Sequence, residues 1–69
     1  MTIQEWAHAN GMEPPVYRVL SRDGPDHAPT FTFSAVIDAG EATASGTSKK
    51  EAERQAAARL LQMVRDTND

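Results

Sequence analysis

The residues able to do chemistry in this chain fall in three places. Gln4 and His8 stand four positions apart, His27 follows Gly24 and Pro25 in a segment rich in turn formers, and Lys49 and Lys50 come directly after Ser48. The run Gly46-Thr47-Ser48-Lys49-Lys50-Glu51-Ala52-Glu53 says most. Ser48 is a favoured N-cap and Glu51 lies three positions on, so Ser48 to Glu51 reads as a capping box opening a helix. A helix N-terminus carries partial positive charge and favours acids in its first turn. Two lysines there fit better beside an external anion, because free backbone N–H groups, the dipole and both ammonium groups all attract phosphate. The plainer alternative is a pair of solvated lysines, partly offset by Glu51 and Glu53.

Other chemistries find no footing. Two-metal phosphodiester hydrolysis needs clustered carboxylates, and the acids here are scattered over loops, caps and helix exteriors. His8 and His27 lack ligand spacing, and with no cysteine there is neither a disulfide framework nor a Cys-based metal site. Ser48 is better explained as a cap than as a nucleophile. The Gly46 to Lys50 run is too short and differently ordered for a phosphate-binding P-loop. The expectation is a chain with no activity of its own, no metal and no cofactor.

The 69 residues allow one small domain, 1–69. Lys and Arg number 7 against 10 Asp and Glu, a formal charge of -3. Nucleic-acid binding normally shows as a basic domain, so any affinity for a polyanion must come from a local patch around Lys49 and Lys50. No long apolar run or signal-peptide pattern is present, which leads to the expectation of a soluble, cytoplasmic protein with no membrane partner.

The elements that must carry these residues are legible in order. Thr2-Ile3-Gln4-Glu5 is a second capping box and Asn10-Gly11 a helix stop, predicting a short helix from about Ile3 to Asn10. Ile3, Trp6 and Ala7 form its apolar side, and Gln4 and His8 share a polar face. Met12 to Pro15 is a linker closed to helix by Pro14-Pro15. Val16 to Arg22 reads as a strand, with Arg18 and Arg22 in step on its period of two. A loop from Asp23 to Pro29 follows. Thr30 to Asp38 is the clearest strand, with Phe31, Phe33, Ala35 and Ile37 facing one way and Thr30, Thr32 and Ser34 the other.

A turn at Ala39-Gly40 leads to a strand from Glu41 to Thr47, whose small inward residues Ala42, Ala44 and Gly46 let a helix come close. That helix, Lys49 to about Val64, buries Ala52, Ala56, Leu60 and Val64, with Ala57, Leu61 and Met63 beside them. A polar tail, Arg65 to Asp69, is expected to fray, 66–69 included. The fold class is α+β: α-β-β-β-α, a three-stranded antiparallel sheet covered on one face by two helices.

In this frame the chain resembles the double-stranded RNA-binding domain, most closely the version at the end of bacterial ribonuclease III. The resemblance rests on Ile3-Gln4-Glu5-Trp6, Pro15-Val16-Tyr17, Gly24-Pro25-Asp26-His27, Phe31, and Gly46 to Glu53 running into Ala56-Ala57. It implies a domain lying along one face of an RNA duplex. A-form RNA has a wide, shallow minor groove lined with 2′-hydroxyls, and a reader spanning about 16 base pairs touches two minor grooves and the major-groove phosphates between them.

By that resemblance Gln4 and His8 contact one minor groove. The loop with Gly24, Pro25 and His27 enters the next, and Ser48, Lys49 and Lys50 grip phosphates, with Arg54 a further candidate. His8 departs from the Gln common at its position. Glu53 stands where many members have lysine, though ribonuclease III domains often carry Glu there.

The implied function is a double-stranded RNA-binding module, the RNA-binding domain of a ribonuclease III-type protein with a catalytic domain in cis. The alternative is a protein-docking or homodimerisation domain of the same fold, with weak or no RNA binding. Its motive is the acidic balance and Glu53.

Overall fold

Helices begin at both expected caps in the computed structural model, which describes residues 1–67. Helix α1 spans Ile3–Ala9. Its capping box is reciprocal: the Glu5 N–H donates to Thr2 Oγ1 at 3.2 Å and the Thr2 N–H to Glu5 Oε1 at 2.9 Å. The helix ends as Asn10-Gly11 suggests. Met12 N–H donates to the Ala7 carbonyl at 2.8 Å and Gly11 N–H to that of His8 at 3.1 Å, the paired bonds of a Schellman motif. Met12, read as linker, packs against the core through this turn.

Strands β1 (Val16–Asp23), β2 (Thr30–Ile37) and β3 (Gly40–Gly46) form an antiparallel sheet in the order β1-β2-β3, and α2 (Lys49–Thr67) closes the chain. The second turn is Asp38-Ala39, one residue earlier than expected, because Gly40 pairs with Ile37 and so belongs to the strand. Helix α2 runs three residues past the expected Val64. The last residues of the expected tail, 68–69, lie outside the described residues.

The core joins Ile3, Trp6 and Ala7 of α1 to Phe33, Ala35 and Ile37 of β2, Ala42 of β3 and the Ala52, Ala56, Leu60, Val64 stripe of α2. Helix α2 lies over β3 and β2. Gly46 is what lets it start so close to the sheet, since a Cβ there would stand 2.6 Å from the Ala52 backbone nitrogen. The cover stops short of β1, where Val16, Val19 and Leu20 are all more than half exposed.

Two side chains sit differently from the alternation read in the sequence. A bulge between Val19 and Ser21 inserts one residue into β1, so Arg18 pairs opposite Ser34 on one face while Arg22 pairs opposite Phe31 on the other. The two arginines therefore part, and the Arg22 guanidinium lies 5.6 Å from the centre of the Phe31 ring. Ser34, expected on a solvated face, is completely buried and donates to Glu41 Oε2 at 2.6 Å. It stands on the central strand, paired opposite Arg18 of β1 and Thr43 of β3.

Candidate nucleic-acid interface

Helix α1 turns Ile3, Trp6 and Ala7 into the core, and the same geometry turns Gln4 and His8 out to solvent one turn apart. Gln4 is anchored: its Nε2 donates to the Tyr17 hydroxyl at 3.2 Å. Tyr17 is the half-buried residue of an otherwise exposed strand. Burial first, and then the negative charge of Glu53, hold its phenol above the ordinary range, against the opposing effect of the Gln4 hydrogen bond.

The β1–β2 loop is built around Gly24, whose φ of +87° is unsuited to a side chain and whose Cβ would meet the Ala28 carbonyl at 3.0 Å. Ala28 N–H donates to the Pro25 carbonyl at 3.0 Å, closing a turn with Asp26 and His27 at its tip. His27 is exposed there. Arg22, displaced by the bulge, reaches 3.9 Å from Asp26 and so sets a cation against the acid beside His27.

At the start of α2, Ser48 Oγ accepts from the Glu51 N–H at 3.1 Å, the expected cap. The reciprocal half of the box is replaced. Glu51 Oε1 accepts instead from Gln55 Nε2 at 2.8 Å, and Oε2 lies 3.6 Å from Arg54. Arg54 is thus partly engaged within its own helix. Lys49 and Lys50 are exposed in the first turn.

The tertiary structure brings some of these residues together. A groove of about 380 Å³ between α1 and α2 is lined by Gln4, Tyr17, Lys50, Glu53 and Arg54 over apolar residues that include Ala57 and Leu61. Gln4 from the first region and Lys50 and Arg54 from the third therefore share one surface, while His8, His27 and Lys49 do not line it. The second region is tied to the third by the sheet register. Phe31 pairs with Gly46, so the β1–β2 loop and the β3–α2 junction carrying Ser48 lie at the same end of the sheet.

Sequence reasoning missed Tyr17 as a site residue and Arg22 as a loop anchor. An aromatic on a strand gives no sign of a partner on a helix, and a bulge leaves no mark in the alternation. Among the described residues no group of three or more His, Cys, Asp or Glu could hold a metal ion. None of the described helices is long and apolar enough to cross a membrane.

A family model described as the double-stranded RNA binding motif matches residues 1–64. Among curated proteins, the chain is 48% identical over 68 residues to a ribonuclease 3 of Dinoroseobacter shibae, covering 97% of this chain and 30% of that protein. To a ribonuclease 3 of Methylocella silvestris it is 55% identical over 62 residues, 87% of this chain and 26% of the relative. The chain thus spans less than a third of the length of the curated relatives it matches. A solved structure, the first dsRBD of protein HYL1, superposes with a TM-score of 0.70 at 24% identity, covering 97% of this chain and 94% of that one. At that identity the likeness speaks for the fold.

Proposed function

The chain belongs to the double-stranded RNA-binding motif family and is a module for binding RNA duplexes, and from that premise we propose how it grips one. Gln4 and His8 enter a minor groove. The turn formed by Gly24 and Pro25 carries His27 into the next minor groove. Lys49 and Lys50, at the helix start capped by Ser48, hold the phosphates across the major groove between them, with Arg54 adding charge beside Lys50. Such an arrangement reads A-form shape more than sequence.

The observation that carries this reading is the groove shared by Gln4, Lys50 and Arg54. A carboxamide able to donate and accept and a cation able to bind phosphate stand on one surface although 46 positions separate Gln4 from Lys50 in the chain. The likeness to bacterial ribonuclease 3 proteins further supports its being the RNA-binding part of a ribonuclease III-type protein, joined in cis to a catalytic domain.

The test is a titration with a duplex RNA of about 16 base pairs and the DNA duplex of the same sequence, each at two salt concentrations. Tighter binding of RNA is expected, with affinity falling as salt rises. Equal affinity for the two duplexes would remove the proposed minor-groove contacts.

A second reading, homodimerisation or docking to another protein, draws on the exposed Val16, Val19 and Leu20 of the edge strand β1. A sizing run beside the same titration separates the two. Association of copies without an RNA complex would favour this second reading.

A further inference from the structure

We propose that Arg22 is a further phosphate contact, gripping the RNA backbone that runs between the minor groove entered by the β1–β2 loop and the major groove spanned by Lys49 and Lys50. The inference rests on the proposed placing of those two regions and adds a residue between them.

The bulge in β1 puts Arg22 there. Because the register shifts between Val19 and Ser21, Arg22 stands opposite Phe31, and Phe31 in turn stands opposite Gly46. Residues directly opposite in antiparallel strands share a face. That face is the one α2 covers, since a Cβ on Gly46 would strike the backbone of Glu51 and Ala52, and Phe31 packs against the core. A row therefore crosses the sheet from the first turns of α2 over Phe31 to Arg22, roughly 10 Å at the spacing of paired strands. At its other side Arg22 adjoins the loop: β1 ends at Asp23, and the guanidinium comes within 3.9 Å of Asp26, the neighbour of His27.

Duplex geometry says what such a position faces. Neighbouring minor and major grooves are separated by one sugar–phosphate backbone, so a protein surface passing from one groove to the next crosses phosphates. A guanidinium keeps its charge at every working pH, and its planar fork meets phosphate through two parallel hydrogen bonds. The Arg22 side chain is 55% exposed, and its guanidinium rests 5.6 Å from the centre of the Phe31 ring. That contact holds the charge in place before RNA arrives, so less freedom is lost on binding. Asp26 is the competing acid. It is fully exposed, and so loose a pair in water is weak and screened, which leaves a phosphate free to displace it. Without Arg22 the loop would bring only the acids Asp23 and Asp26 toward the backbone it passes.

The experiment measures affinity for a duplex RNA of about 16 base pairs over a salt series in the wild type, Arg22→Gln, Arg22→Lys and Lys50→Ala, with thermal melts to show that each folds. Arg22→Gln should lower the slope of log affinity against log salt by about one unit, the loss of one phosphate contact. Arg22→Lys keeps the charge and should keep the slope. A purely structural role would move the melt and leave the slope alone.

A folded Arg22→Gln with the wild-type slope overturns the proposal, whether or not affinity falls. So does an Arg22→Lys that loses as much slope as Arg22→Gln. In either case a lowered slope in Lys50→Ala leaves the proposed function standing. A wild type that binds no duplex RNA overturns both together. Should Arg22→Gln fail to fold, Arg22→Met takes its place, since an unbranched thioether packs on the Phe31 ring without charge. The same loss of slope is expected, and an unchanged slope overturns the proposal.

Discussion

Lys50 is the residue through which a chain with a net charge of -3 is proposed to hold a polyanion. It stands at a helix N-terminus where backbone N–H groups add their partial charge, and it shares a groove with Arg54. Glu53 lines that groove as well, and Glu51 draws Arg54 to 3.6 Å, so the local cationic surplus is small and Lys50 carries much of it. Lys50→Ala should weaken binding to every RNA duplex by a similar factor. It should also reduce the salt dependence of log affinity by about one unit of slope, the loss of one phosphate contact. A slope equal to that of the wild type would take Lys50 out of the interface. His27 is positioned in another way. It stands at the tip of a turn whose shape depends on the φ of +87° at Gly24, with Arg22 beside the neighbouring Asp26.

At the scale of elements, α1 is short and depends on its ends. Seven residues are too few for a helix to persist by propensity, so the capping box and core packing hold it. The backbone hydrogen bond from Thr2, helped by its hydroxyl, holds the Glu5 carboxyl below its ordinary 4.5. A lowered folded pKa means that Glu5 adds stability above the unfolded value and that the gain is lost as pH falls through the folded one. Glu5→Gln should therefore melt earlier than the wild type at neutral pH, with the two melting curves converging as pH drops below about 4.5. Curves that stay parallel across that range would show that Glu5 does not act through its charge. Helix α2 depends on its buried stripe instead. Leu60 is fully buried within it, so Leu60→Ala should cost about 2–5 kcal/mol, measured by chemical denaturation. A domain of this size rarely has more than about 3–5 kcal/mol to lose, so the variant should be largely unfolded at 37 °C. A loss below about 1 kcal/mol would mean that the site collapses around the smaller side chain.

Over the whole molecule, the fold brings Gln4, Lys50 and Arg54 to one groove although the chain keeps Gln4 far from the other two. Antiparallel pairing of Phe31 with Gly46 sets the β1–β2 loop at the same end of the sheet as the start of α2, and the packing of α1 against α2 sets Gln4 and Lys50 in one groove. The element order, both helix starts and the buried stripes of α1 and α2 were legible in the sequence, because caps and apolar spacing act over three or four residues. The candidate residues at the loop and helix start were legible for the same reason. Their grouping was not. Whether Arg22 joins Arg18 on one face turns on a single bulge residue in β1, and the burial of Ser34 goes with its place on the central strand and its bond to Glu41 of the neighbouring strand. Tyr17 meets Gln4, 13 residues away in sequence, through a hydrogen bond of 3.2 Å. Local pattern, then, determined what each segment becomes. Only tertiary packing decided which polar groups meet, since such meetings depend on register and crossing between segments that share no local periodicity.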